Sequence, residues 1–551
     1  MANEHDTLLP VHEQHVRDEP NRVSWRLKKV HYILLSVVFM AIGFFFFLPF
    51  LAKKKVGPKP KYAVMMVSDG MGPASLSMSR SFAEYITGDK DYILPLDKHL
   101  IGSSRTRSSS SLITDSAAGA TAFSCAAKSY NGAVGVLDGG KACGTLLEAA
   151  KEAGYLTGMV VTSRITDATP ASFSSHVANR FMQSLIAEYQ VGMGPLGRST
   201  DLMFGGGLCS FLPNSSYQSC RADDLDLLKY AKAEQDFNVL LDRAEFDDST
   251  RHQLPLLGLF SGRHMDYNID RDPKSQPSLT EMVESALDTL YKFSQSTGKG
   301  FFLLIEGSRI DMASHNNDPV AHVHDVLEYN RAFQKASDFI EKTGGVLIST
   351  SDHETGGLTV GRQVTPEYPD YIWKPEVLER ATHSFEYLAK SIMIHEESEL
   401  RSYIQNSIFP ALGIKKPSHK MVNSLYDARS NVFELISRMS LIIGEQAQIG
   451  YTTHGHTAVD VNVYGSGDAI RDIRGNIENI EIGKYLEEYL GISLDQVTSK
   501  LTDAPIYGDP DRGFKAGAFV HEILEKHSEV NTREYEDYLA SSAKRGHSVE
   551  L

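Results

Sequence analysis

Four short apolar runs punctuate the chain: YAVMMV (62–67), TGMVVT (157–162), FFLLIE (301–306) and GVLIST (345–350). Their length, partial β-branching and lack of a polar face suit strands covered on both sides. Between them the spacing turns helical over 145–154 (TLLEAAKEAG), 279–297 and 322–343. Strands alternating with helices predict an α/β fold around a largely parallel sheet. No internal repeat interrupts the alternation. Residues 363–450 are less regular and read as an insertion or cap over the sheet. FGGG at 204–207 reads as a turn rather than a phosphate cradle, and the polar 531–551 as a mobile tail.

One segment breaks the globular pattern. Residues 33–52, ILLSVVFMAIGFFFFLPFLA, contain no charge and match the length of a membrane-spanning helix. No convincing small-residue cleavage site follows, so the stretch reads as a signal anchor rather than a removed signal peptide. It divides a cytosolic tail (1–32) from a linker (53–61) and a large domain (62–530). The flanking basic residues are balanced and do not fix the orientation. The sequon at Asn214 and all four cysteines lie beyond the anchor, which suits a lumenal or extracellular compartment. Cys209 and Cys220 bracket the sequon and could close a short loop, whereas Cys125 and Cys143 could pair or stay free. The tail carries EHDTLL, with Glu4 four residues ahead of Leu8 and Leu9. That pattern resembles the acidic dileucine signals read by vesicle-coat adaptors.

The chain has 551 residues, 42% of them hydrophobic and 23% charged, an ordinary globular balance. A net charge of −15 argues against a nucleic-acid partner. It leaves phosphate chemistry open, because bound cations can reverse the charge locally.

The polar residues that follow the apolar runs are of a particular kind. Asp69 follows the first; Asp167, Thr169, His176 and Arg180 follow the second; Glu306, Asp311 and His315 the third; Asp352 and His353 the fourth. His454 and His456 come later, in TTHGHTAVD. Ligands of open α/β sheets bind beyond the carboxyl ends of the strands, so these groups are expected to meet along one edge. Asp69, Glu306, Asp311 and Asp352 would repel one another there unless cations neutralise them. Histidines beside carboxylates favour zinc, and an oxygen-rich subset with a threonine hydroxyl suits magnesium. Asp311 and His315, four apart, can share a helix face.

A nucleophile and an anion clamp complete the set. Ser116 in LITDSAAGATAFSC stands at a predicted helix start, where backbone N–H groups favour an anion. Arg180 could hold two phosphate oxygens at once. Singly, each motif has a plain reading: Asp115-Ser116 as a helix cap, Asp69-Gly-Met-Gly as a turn, Arg180 as a surface ion pair. His322 and His324 read as structural, and His454 as a neighbour of a ligand. It is their joint order that points to chemistry.

The motifs SDGMG, TDSAAGATAF, TDATPASFSSHVANR, IEGSRIDMASH, SDHETGG and GHTAVDV resemble those of the alkaline phosphatases, in the same order over roughly residues 62–500. The anchor and acidic tail are most similar to the fungal vacuolar branch of that family. The resemblance implies a three-layer α/β/α sandwich with a smaller crown, a homodimer, and hydrolysis of phosphate monoesters through a phosphoserine at Ser116. It implies one zinc held by Asp311, His315 and His456, and a second by Asp69, Asp352 and His353. It also implies one magnesium held by Asp69, Thr169 and Glu306, and a phosphate clamp in Arg180. Asp115 and Asp167 would support these groups. Met312 departs from the pattern, standing where many relatives carry a lysine or histidine that reaches phosphate through water. The expected location is the vacuolar membrane, single-pass, with the catalytic domain lumenal.

Two other readings remain. A related hydrolase of diesters or sulfate esters is disfavoured because Ser116 is followed by Ala-Ala-Gly, not the x-P-x-R of sulfatases, and because Thr169 with Glu306 supplies a third cation site. An inactive tethered ectodomain would be expected to have lost a ligand, and none is missing.

Overall fold

The computed structural model describes residues 29–41, 59–467 and 473–502. These described residues fall into two units, one ending at Lys59 and one beginning at Pro60. In the first, residues 29–41 are helical and exposed. The remainder of the expected span, 42–52, lies outside the described residues, as do the tail with Leu8 and Leu9, linker residues 53–58 and the segment 531–551. No described helix is long and apolar enough to cross a membrane.

The second unit is built on a ten-stranded sheet. In chain order its strands are β1 Lys61–Val67, β2 Leu100–Arg105, β3 Leu156–Arg164, β4 Leu202–Gly206 and β5 Asn238–Leu240. Then come β6 Leu256–Leu259, β7 Gly300–Glu306, β8 Val346–Thr350, β9 Val461–Ser466 and β10 Gly475–Glu478. Their order across the sheet is β10-β2-β9-β8-β1-β7-β3-β4-β6-β5. Every neighbouring pair is parallel except the two that β9 makes, with β8 and β2. The four apolar runs are therefore central strands, bordered by helices whose caps are written in the sequence. Thr145 and Ser278 form capping boxes with Glu148 and Glu281. Asp318 caps Pro319–Thr343, whose proline sits in the first turn.

Two apolar clusters, one on each face of the sheet, give the layered arrangement. One includes Ala63, Met65 and Val67, the other Val64 and Met66, so the alternating side chains of β1 serve both. A third cluster belongs to the predicted cap. There the irregular pattern hides a run of mostly short helices, among them Phe385–Ile394, His419–Asp427 and Val432–Ala447. Their apolar faces pack on Met78, Phe82, Val320 and Val323 of two helices flanking the sheet. Paired strands Thr359–Val360 and Ile449–Gly450 mark where the chain enters and leaves this insertion.

The expected turn at 204–207 is corrected. Phe204, Gly205 and Gly206 are buried strand residues of β4, and only Gly207 takes a left-handed turn conformation. The glycines are there because the strand is crowded: a Cβ on Gly206 would lie 2.0 Å from the Arg263 carbonyl oxygen.

Candidate active site

The parallel strands deliver their carboxyl ends to one edge, and the residues singled out above follow them. Asp69 stands two residues past β1, Asp352 two past β8, and Glu306 ends β7. His456 arrives by the opposite route. Because β9 runs antiparallel to β8, its start lies at the carboxyl end of β8, and the preceding residues His456–Thr457 pair with Glu354–Thr355.

Ser116 opens the buried helix Ser116–Ser124, whose cap Asp115 accepts from the Ala118 N–H at 3.0 Å. Asp115 is thus the cap and Ser116 is left free of that duty. The small residues behind Ser116 have a packing reason: a Cβ on Gly119 would stand 3.0 Å from Cβ of Asp352. Gly70 is constrained twice over, by a φ of +74° and by Asp311 Cα, 2.7 Å from where its Cβ would be.

Ser116 Oγ lies 3.0 Å from Nε2 of His353. That nitrogen is also 3.2 Å from Asp352 Oδ2 and 3.5 Å from Asp69 Oδ1. Beside this group, Asp311 Oδ2 is 3.3 Å from His315 Nε2, which is 3.1 Å from His456 Nε2. The rings of His353 and His456 stack at 3.5 Å. Asp69, Asp352 and His353 form one set of potential metal ligands, and Asp311, His315 and His456 another.

The donor chemistry fits cations. Each imidazole commits Nδ1–H to an acceptor: His456 to the Thr114 carbonyl at 2.8 Å, His315 to the His454 carbonyl, His353 to Thr355 Oγ at 3.1 Å. Thr355 must accept there, because its one proton goes to Asp311 Oδ1 at 2.6 Å. All three Nε2 atoms therefore turn lone pairs into a cluster of carboxylates, the arrangement that outer hydrogen bonds impose on metal-binding histidines. Asp69 Oδ1, Asp352 Oδ2 and Thr169 Oγ1 are buried without a hydrogen-bond partner, which is costly unless a cation takes that place.

The protonation balance without a cation shows the same demand. Burial, with the Asp352, Asp311 and Glu306 charges, pushes Asp69 well above the usual carboxylate range. Burial also dominates at Glu306, raised to about 8. Burial opposes ionisation of Asp311 and Asp352, but the adjacent histidines overcome it and hold both below the ordinary value. His456 is pushed well below the usual histidine pKa by burial and by His353 and His315.

Arg180 stands near enough for its charge to act on Asp69. Its guanidinium donates to Asp115 at 3.1 Å and to Asp167 at 3.2 Å, using a different nitrogen for each. Burial weighs against its charge, yet these carboxylates keep it firmly protonated. Glu306 accepts from the hydroxyls of Ser308 at 2.5 Å and Ser163 at 3.4 Å, with Thr169 beside it. Met312, on the helix Arg309–His315, points its sulfur at Arg309 Nη1, 3.0 Å away, and that guanidinium also pairs with Glu386 of the cap.

His454 and His322 fall where expected. His454 bonds the backbone of His315 at 2.7 Å. His322 is buried against Ser314 with its pKa lowered to about 4. Cys209–Cys220 and Cys125–Cys143 are both disulfides, the first flanking the exposed Asn214. The residues not anticipated are Thr355, Thr114, Ser308 and Ser163. Thr355 and Ser308 sit two positions after His353 and Glu306, a spacing that a search for ligand supports would have caught.

A layered α/β hydrolase with a serine at a helix start and two carboxylate–imidazole clusters defines the class. The chain belongs to the alkaline phosphatase family, metal-dependent phosphomonoesterases, which its residues 60–492 match. It is 64% identical to the alkaline phosphatase of Schizosaccharomyces pombe over 513 residues, covering 93% of this chain and 96% of the relative. It is 44% identical to the repressible alkaline phosphatase of Saccharomyces cerevisiae over 547 residues, with the same coverages. Among solved structures, the cold-active alkaline phosphatase of Shewanella superposes with a TM-score of 0.68 at 28% identity, covering 78% of this chain and 99% of that one. That of Thermus thermophilus gives 0.67 at 25%, covering 81% and 96%.

Proposed function

We infer that the enzyme transfers the phosphoryl group of a monoester to Ser116 Oγ, releasing the alcohol, and that water then cleaves the phosphoserine to inorganic phosphate. The observation that carries this reading is Ser116 Oγ, at the first turn of a buried helix and 3.0 Å from His353 Nε2, next in the chain to the Asp115 that fixes the Arg180 guanidinium. The helix start offers backbone N–H groups to the incoming anion. Arg180, its position set by Asp115 and Asp167, presents remaining N–H groups to two phosphate oxygens. Asp115 thereby serves both the nucleophile's helix and the clamp.

The ligand sets support two zinc ions, at Asp311/His315/His456 and at Asp69/Asp352/His353, and a magnesium at Thr169, Glu306 and Asp69. When bound, these cations would lower the pKa of the serine hydroxyl and of water and neutralise charge on the reacting oxygens. For the third site, magnesium agrees with the oxygen-only donors here. It agrees also with mutants of the TAB5 enzyme from an Antarctic bacterium, in which Mg is bound in the M3 site (25% identity, TM-score 0.55). The monoester reading predicts hydrolysis of p-nitrophenyl phosphate at alkaline pH that chelator abolishes and Ser116→Ala lacks. Activity that survives either change would overturn it.

The same reading extends to setting. The uncharged stretch 33–52 supports a single-pass anchor, and two disulfides with an exposed Asn214 support a lumenal, glycosylated catalytic domain. EHDTLL, with Leu8 and Leu9, supports adaptor-directed delivery to the vacuole. Membership of the family supports a homodimer.

A further inference from the structure

One buried ionic group near the site has no part in the mechanism above. His176, four residues before Arg180, is 1% exposed, with Nδ1 2.9 Å from the Gly135 carbonyl and Nε2 2.9 Å from Glu148 Oε1. Both partners are acceptors, so both ring nitrogens carry protons and the ring is an imidazolium. Burial opposes that charge, but Glu148 and the two bonds outweigh it and raise the pKa above the ordinary histidine value. A buried ion pair is weak evidence for stability, since a well-packed apolar pair often does as well. What it holds is therefore the question.

It holds a strip of chain, residues 130–135, wedged between the clamp and the nucleophile. On one side Val134 and Val177 exchange both backbone bonds at 3.0 Å, and the Arg180 N–H donates to the Gly132 carbonyl at 2.8 Å. On the other side Thr121, of the nucleophile's helix, donates to the Ala133 carbonyl at 3.2 Å and accepts from the Gly135 N–H at 3.1 Å. The strip's Asn131 accepts from the N–H of Asp115, the residue that orients Arg180. Gly135 admits no side chain: its φ is +59°, and a Cβ would meet the Ser175 carbonyl oxygen at 2.2 Å and His176 Nδ1 at 2.8 Å. The imidazolium sits at the rear of this strip. Glu148, its counter-ion, is fixed by the cap of its own helix through the Thr145 N–H at 3.0 Å.

We propose that the His176–Glu148 pair is a positioning device that sets the distance between the Arg180 guanidinium and Ser116 by anchoring residues 130–135. The inference rests on Arg180 being the phosphate clamp. Its signature is a loss of phosphate affinity that is not a loss of fold, and that disappears when Arg180 is already gone.

The test compares three backgrounds by p-nitrophenyl phosphate kinetics, inhibition by inorganic phosphate and thermal unfolding of the metal-loaded enzyme. His176→Leu with Glu148→Met removes the pair without orphaning a charge. It is expected to lower the unfolding temperature by only a few degrees, through the lost bond to the Thr145 N–H, but to raise KM and the phosphate inhibition constant about tenfold, with a smaller change in kcat. His176→Asn with Glu148→Gln, which restores a donor towards Gly135, recovers most of that loss. Adding the Leu/Met pair to Arg180→Ala changes the inhibition constant by less than twofold. Wild-type phosphate inhibition in the Leu/Met variant, or an undiminished effect beside Arg180→Ala, would overturn the proposal. If the Leu/Met variant does not fold, His176→Leu with Glu148→Gln, which keeps the acceptor for the Thr145 N–H, must show the same selective rise, and unaltered inhibition there would overturn the proposal equally. Should Arg180→Ala itself leave phosphate inhibition unchanged, it is the clamp reading that fails.

Discussion

Glu306 gives the claim that cations reside in this cluster a quantitative form. Without one, burial together with the Asp167 and Asp352 charges raises its pKa from 4.5 to about 8, against the hydroxyl of Ser308. A carboxyl whose folded pKa lies above its unfolded value binds more protons in the native state. The stability it contributes therefore falls as pH climbs from about 4.5 towards 8. At about 1.36 kcal/mol per unit, the rise from 4.5 to about 8 amounts to about 5 kcal/mol. His315 and His353, also raised, act in the same direction above the ordinary histidine pKa. Asp311 and Asp352 are depressed, so their contribution is lost only in the acid range, below about 4. Asp318 and Asp325, raised to about 7 and about 8 by burial, titrate in parent and Glu306→Gln alike and cancel in the comparison. The assay is denaturant unfolding of chelated protein at about pH 5.5 and about pH 8, beside Glu306→Gln. The parent is expected to lose several kcal/mol more than the variant over that interval. Restoring zinc and magnesium flattens the parent's slope, because a bound cation keeps the carboxylate ionised in the folded state. Equal slopes for chelated parent and variant would refute the reasoning.

Three further outcomes follow from named contacts. Met312→Lys is expected to strengthen inhibition by inorganic phosphate roughly three- to fivefold, the scale of one extra charge acting through water; equal inhibition constants would remove Met312 from the account. His456→Ala should lower bound zinc by one equivalent per chain in elemental analysis while magnesium holds, since only Asp311 and His315 remain in that set; unchanged zinc would exclude the ligand role. Changing Leu8 and Leu9 to Ala should divert a fluorescently tagged chain from the vacuolar membrane, and unaltered imaging would dismiss the tail motif.

How much was legible follows from which forces are local. The central strands announce themselves because both faces are buried and every residue must be apolar, as in β1 and β7. The site residues followed because the carboxyl end of a parallel strand leads straight into Asp69, Glu306 or Asp352. β4 was misread because FGGG lacks side chains where the Arg263 backbone and the Ile165 and Val161 side chains press on it, a tertiary demand that looks like turn chemistry. The cap helices were missed because they are mostly short and interrupted, so no single window carries a full period. The role of Thr355 was hidden for a different reason. It depends on Thr355 Oγ bridging His353 Nδ1 and Asp311 Oδ1, the second of these 44 residues away from Thr355, and only the folded edge brings them together.

The central claim is that Ser116 carries the phosphoryl group. Protein incubated with p-nitrophenyl phosphate or inorganic phosphate and quenched in acid, where a serine phosphate ester persists, can be digested and its peptides weighed. The account predicts one added phosphoryl group on the peptide containing Ser116, absent from Ser116→Ala and from chelated protein. A phosphoryl group on any other residue, or an active enzyme that never labels, would contradict it.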